Sequence, residues 1–143
     1  MYNVLHVTQT LTFRPKDPTT LVRLEQRARR AQIPKTALAD RYVEEGLAMD
    51  AYPGIVFRDG PDGRRPAVVG GPDVWQVIEV FIDEGRDIRA TAKYLDLRPG
   101  LLEVAVAYYA DHPPEVDEWI ATNHRLLDEA EAAFRRRQAV EKA

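Results

Sequence analysis

There is no cysteine anywhere in the 143 residues, so disulfides and thiolate metal sites are both excluded. A chain of this kind is compatible with a reducing cytosol, and a cytoplasmic location is the expectation. No apolar run approaches the roughly 20 residues a helix needs to span a bilayer, so no membrane is expected among its partners. The first residues show no basic flank leading into an apolar core, and no signal peptide is expected. The glycines between 60 and 71 are not followed by Gly-Lys-Ser/Thr, the lysine and hydroxyl that a phosphate-cradling loop requires. No strand runs into a GxGxxG turn either. No cofactor and no metal are expected.

Lys, Arg, Asp and Glu are missing from residues 1–13, and that gap exposes an uneven charge. Residues 14–41 hold eight basic side chains against three acidic ones, a net of +5. The formal total is −3, so residues 42–143 sum to −8. A basic stretch at the front of an acidic protein localises any phosphate contact there. A solvated, arginine-rich helix face would give the same count, and that reading stays open.

Leu11 and Phe13 alternate with Thr10, Thr12 and Arg14. A strand puts these on opposite faces, one apolar, one polar with a cation. So short a strand needs a partner, and the simplest is the same strand of a second copy. Such an antiparallel ribbon fits the DNA major groove, with Thr10, Thr12 and Arg14 reaching base edges. Asp17 and Pro18 predict a helix start, with Leu21, Leu24, Ala28 and Ala31 as its apolar side. Gln32-Ile33-Pro34 ends that helix and opens a second, striped by Leu38, Ala39, Tyr42, Val43, Gly46 and Leu47. Strand, helix, turn and helix in this order resemble the ribbon-helix-helix family, the Arc and MetJ type of DNA-binding dimer. The carrying residues are the 11–14 strand, Leu21/Leu24/Ala28, and Pro34-Lys35-Thr36-Ala37-Leu38. The resemblance implies a homodimer on double-stranded operator DNA, with Lys35 and Thr36 near a phosphate at the second helix's N-terminus. The family often has a small hydroxyl residue where Pro34 stands, which leaves that contact to Thr36 and the backbone amides.

Tyr52-Pro53-Gly54 predicts the end of this first unit. Residues 55–58 and 66–69 read as two strands joined by the Asp59-Gly60-Pro61-Asp62-Gly63 turn. A helix follows with Val74, Val77, Ile78, Phe81 and Ile82 as its buried stripe. Gly85 ends it and Asp87 caps a helix over 88–95. Asp96-Leu97-Arg98 turns into another, opened by Pro99, with Leu101, Val104, Ala105 and Tyr108 facing the core. Two helices joined this tightly resemble a helix-turn-helix. Residues 55–121 resemble a bacterial domain family of formally unknown function, with a helix-turn-helix-like core and genes often beside toxin genes. Pro53-Gly54-Ile55-Val56-Phe57, Gly70-Gly71-Pro72-Asp73-Val74-Trp75, Glu84-Gly85, and Ala105-Val106-Ala107-Tyr108-Tyr109-Ala110-Asp111-His112 before Glu115-Val116-Asp117 carry this. Between Leu97 and Asp111 the only base is Arg98, so this segment cannot neutralise phosphates, and the module is expected to pack or bind a partner. Arg64 and Arg65 in the hairpin could touch a phosphate or simply be solvated.

After His112-Pro113-Pro114 a last helix is predicted from Glu115 to about residue 138. Val116, Ile120, Asn123, Leu127, Ala130 and Phe134 recur at helical spacing, widened by Trp119, Leu126 and Ala133. Its second half sets Leu126, Leu127 and Phe134 beside Arg135, Arg136 and Arg137, a tail suited to a groove on a partner. A frayed, solvated terminus fits the same residues. His112, Glu115, Asp117 and His124 are the one cluster resembling acid–base groups. Acids at a helix start are explained by the helix dipole, so no enzyme is expected.

The expectation is thus a mainly α chain with short β, in three parts: a ribbon-helix-helix unit (1–51), a hairpin plus helix-turn-helix-like domain (52–121) and a helical tail (122–143). The resemblance to VapB-like and other ribbon-helix-helix antitoxins implies an antitoxin that represses its own operator. The second family's gene neighbours imply a PIN-like ribonuclease toxin as partner. Such toxins hold carboxylates around Mg²⁺, and a tail arginine would pair with them bidentately. The alternative is a dimeric interaction module that does not bind DNA.

Overall fold

The computed structural model describes residues 9–143. The apolar residues 1–7, with His6, lie outside the described residues. What is described is mainly helical, with one small antiparallel sheet. The chain divides into two compact units, Met1–Glu44 and Glu45–Ala143.

In the first unit, residues 9–15 carry no regular secondary structure. The strand expected at 10–14 is therefore not formed in a single chain. Helix α1 runs Thr20–Ala31 and helix α2 Lys35–Ala51. Asp17 is not the cap that the sequence predicts: Thr19 holds that place. Instead the Asp17 carboxylate accepts from the Thr19 hydroxyl at 2.7 Å and its amide at 2.8 Å, a turn that leads into the helix. Those two bonds hold the Asp17 carboxyl below its ordinary pKa. Gln32 ends α1 in the left-handed region at φ 55°, and the Ile33 amide donates back to the Ala28 carbonyl. The Pro34 carbonyl then accepts from the Leu38 amide and starts α2.

Only Ala28 and Leu38 are buried on these helices' expected apolar stripes. Leu21, Tyr42, Val43 and Leu47 are between 46% and 61% exposed. Two helices can bury only the seam between them, and the rest of each stripe is left facing outward.

In the second unit β1 (Ile55–Gly60) pairs with β2 (Gly63–Val68), and Pro61-Asp62 form the two-residue turn. Helices α3 (Val74–Asp83), α4 (Ile88–Leu95), α5 (Pro99–Asp111) and α6 (Pro113–Lys142) follow. Gly85 stops α3 at φ 69°, a conformation without cost for glycine. Asp87 caps α4 by accepting from the Ala90 amide at 2.9 Å. Ile55, Val68, Val74, Val77, Ile78, Ala92, Leu102, Ala105, Tyr108 and Val116 form one core. Two expectations shift here. Leu102, not Leu101, is the fully buried leucine of α5, and Ile82 is 39% exposed near the end of α3. The α4–α5 connection is the three residues 96–98.

Helix α6 is one unbroken element of 30 residues, with no boundary at 121. Val116 is its buried residue, and Trp119, Ile120, Thr122 and Asn123 are half-buried. Beyond Asn123 every residue is exposed except the half-buried Gln138.

Candidate functional site

Thr10, Thr12 and Arg14 all stand exposed on the extended segment before α1. Leu11 and Phe13 between them are 80% and 68% exposed, unusual for side chains of this size. Phe13 borders a groove of about 470 Å³ shared with Leu24, Ala39, Tyr42 and Val43, and rimmed by Thr20, Arg23 and Arg27. The first unit thus carries an apolar cleft with an apolar edge segment at its mouth and cations on its rim.

Lys35 and Thr36 open α2, and both are exposed. Their amides belong to the first turn, where backbone donors have no partner within the helix. The Lys35 ammonium, however, pairs with the Glu25 carboxylate at 3.1 Å. Both ends of that pair are largely solvated, so its contribution is about 0–1 kcal/mol and an approaching phosphate could displace it. No hydrogen bond or ion pair joins Lys35 or Thr36 to Thr10, Thr12 or Arg14 among the described residues.

The hairpin arginines are engaged elsewhere. Register sets Arg58 opposite Arg65, a like-charge pair that a sheet tolerates only with an acid between. Asp73 is that acid. It is 6% exposed, and it accepts from Arg58 Nη2 at 3.1 Å, from Arg65 Nε and from Trp75 Nε1 at 3.2 Å. Arg64 is held by the nearly buried Glu45 and by Asp59. Glu45 is the larger influence keeping the Arg64 guanidinium firmly protonated. Arg64 and Arg65 are thus each paired to acids of their own unit rather than solvated or left for a phosphate. The sequence reading missed Glu45 and Asp73 as partners. Aligning the hairpin across its turn would have shown the opposed arginines and the need for an acid.

The acid–base cluster also resolves into structure. Glu115 accepts from the Tyr108 hydroxyl, 3.0 Å to each oxygen, and Asp117 from Tyr109 at 2.7 Å. His112 stacks on Tyr108 with centroids 4.4 Å apart, and Tyr52 sets its edge against both rings. Burial, then the Glu115 charge, raises the Tyr108 pKa. His124 bonds to Glu79 on α3, away from the other three. Among the described residues no group of His, Asp or Glu is placed to hold a metal, and no helix is long and apolar enough to cross a membrane.

On the tail, Leu126, Leu127 and Phe134 are 36%, 61% and 52% exposed. Leu126 and Leu127 line a shallow groove with Trp75, Glu79, Asn123 and His124. The three arginines do not form one patch. Successive helix positions turn by about 100°, so Arg135, Arg136 and Arg137 fan around the axis. Arg137 falls on the face of Leu126, Ala130 and Ala133. Arg135 points nearly opposite and leans on Glu131 at 3.7 Å. Compared with known proteins, the chain matches no family model, no curated protein and no solved structure.

Proposed function

We propose that this chain is a dimeric antitoxin that represses its own operator and neutralises a PIN-like ribonuclease. One observation carries the reading: large apolar side chains stand exposed in the first unit, Leu11, Phe13, Tyr42 and Val43 among them, and again along the tail at Leu127, Phe134 and Val140. Two such surfaces, one in each unit, give room for two macromolecular partners.

At the front end the partner is a second copy. Pairing residues 10–14 of two chains would satisfy both backbones and turn Leu11 and Phe13 onto the apolar clefts. Thr10, Thr12 and Arg14 would then lie on the opposite face, along the duplex. Lys35 and Thr36 would take a flanking phosphate once Lys35 leaves Glu25. At the far end Leu126, Leu127 and Phe134 would seat on the toxin. Arg137 is the arginine best placed to reach its metal-binding carboxylates, because it shares their face.

The test uses the full chain and one stopped after Asn123, each with a duplex from the chain's own promoter and with the co-encoded nuclease. The shortened chain keeps operator binding and loses neutralisation. Loss of both activities, or of neither, overturns the division of labour. The Lys35–Glu25 pair favours a second reading, a dimeric module whose basic helix is only a solvated face. Duplex binding that does not weaken steeply as salt rises would select it.

A further inference from the structure

The exposed half of α6 sorts its charge along its length. Residues 124–133 hold Asp128, Glu129 and Glu131 against Arg125, a net of −2. Residues 134–142 hold Arg135, Arg136, Arg137 and Lys142 against Glu141, a net of +3. One apolar stripe runs along the same half, Leu126, Leu127, Ala130, Ala133, Phe134 and Val140, with Arg137 set into it. Its middle is two alanines, small enough for another helix axis to come close. Its large members are exposed, Val140 at 77%. No element of the second unit covers the stripe beyond the groove at Leu126 and Leu127.

From these observations we infer that the distal half of α6 pairs with the same segment of a second copy, antiparallel, crossing near Ala130 and Ala133. In that direction Glu129 of each helix, at the edge of the stripe, lies beside Arg136 of the other, on the same side of the crossing. The stripes meet, Leu126 and Leu127 of one copy toward Val140 of the other. A parallel pair would oppose acid to acid and arginine to arginine, which is destabilising at close range. This pairing goes beyond the proposed function and does not depend on the front-end ribbon. It covers the face assigned to the toxin, so the two occupants exclude each other and a partner must separate the tails.

The absence of native cysteine makes the test direct. In the full-length chain, Ala133→Cys lies at the crossing and self-crosslinks under mild oxidation, whereas Val140→Cys alone does not. Self-crosslinking of Val140→Cys as efficient as that of Ala133→Cys means a parallel pair and overturns the proposal, as does no crosslinking of Ala133→Cys. Mass in solution separates this idea from the ribbon. In a Leu11→Glu/Phe13→Glu background, which cannot form the ribbon, Leu127→Glu with Phe134→Glu takes the particle from two chains to one. An unchanged mass sinks the tail pairing whatever the ribbon does. A variant with Arg135, Arg136 and Arg137 all changed to Glu loses self-pairing. Mixing it with a variant carrying Lys at 128, 129 and 131 restores pairing between the two. Failure of that rescue removes charge complementarity as the cause.

Discussion

Arg64 clasps Glu45, with Nε 2.6 Å from one carboxylate oxygen and Nη2 2.5 Å from the other. The pair is mostly shielded, with side chains 27% and 10% exposed. It ties the second half of α2 to the hairpin and takes a cation out of reach of any phosphate. Removing one partner of such a pair leaves the other poorly solvated. Glu45→Ala is expected to destabilise the protein by about 1–3 kcal/mol, read from the urea midpoint. A midpoint unchanged within error would mean the clasp is not maintained in solution.

The two groups of arginines should behave differently toward DNA. Arg14 is exposed on the extended front segment, while Arg64 is committed to Glu45. Arg14→Ala is expected to weaken specific duplex binding by about 1–3 kcal/mol, the effect of a lost bidentate base contact. Arg64→Ala should leave it alone once the fraction of folded protein is matched. Gel-shift titrations of both variants decide this, and equal losses would argue against the ribbon.

Tyr108 gives a pH signature at the alkaline end. Burial and the neighbouring Glu115 raise its folded pKa above the ordinary 10.0. The unfolded chain therefore releases this proton first as pH rises, and stability falls from about pH 10 upward while being fully present below it. Tyr108→Phe removes that term. Its stability should decline less steeply than the native chain's in alkaline urea titrations, and one late-titrating tyrosinate should vanish from the absorbance curve. Identical alkaline slopes would show that Tyr108 titrates normally.

Shortening the chain after Asn123 should hardly change how the second unit unfolds. Val116 is the buried residue of α6, and it remains. The residues removed are exposed, so the expected change in unfolding free energy is within about 0.5 kcal/mol, as for surface substitutions. Ile78→Ala, by contrast, empties a fully buried site and should cost about 2–5 kcal/mol. A large loss from the truncation would place the tail in the fold rather than at a partner.

Much of this architecture can be read one residue at a time. Pro34, Gly85, Asp87, Pro99 and Pro113 fix where helices stop and start, because caps and φ restrictions are settled within about four residues. Gly60-Pro61-Asp62-Gly63 fixes the hairpin in the same way. The alternating pattern at 10–14 marks an apolar and a polar side, but a strand needs a partner, and among the described residues none pairs with it.

What the sequence determined by itself is therefore the helices, the hairpin and their order, and the charge contrast between front end and remainder. The tertiary structure decided which charges are available and which apolar groups are covered. Arg64 and Glu45 lie 19 residues apart, and Tyr52 reaches Asp111 across 59. Leu102 is enclosed while Leu101 is only half-buried, and the stripe of α6 runs on past the last element able to cover it. Ion pairing and burial depend on groups distant in the chain. No local pattern encodes them until the backbone has brought those groups together.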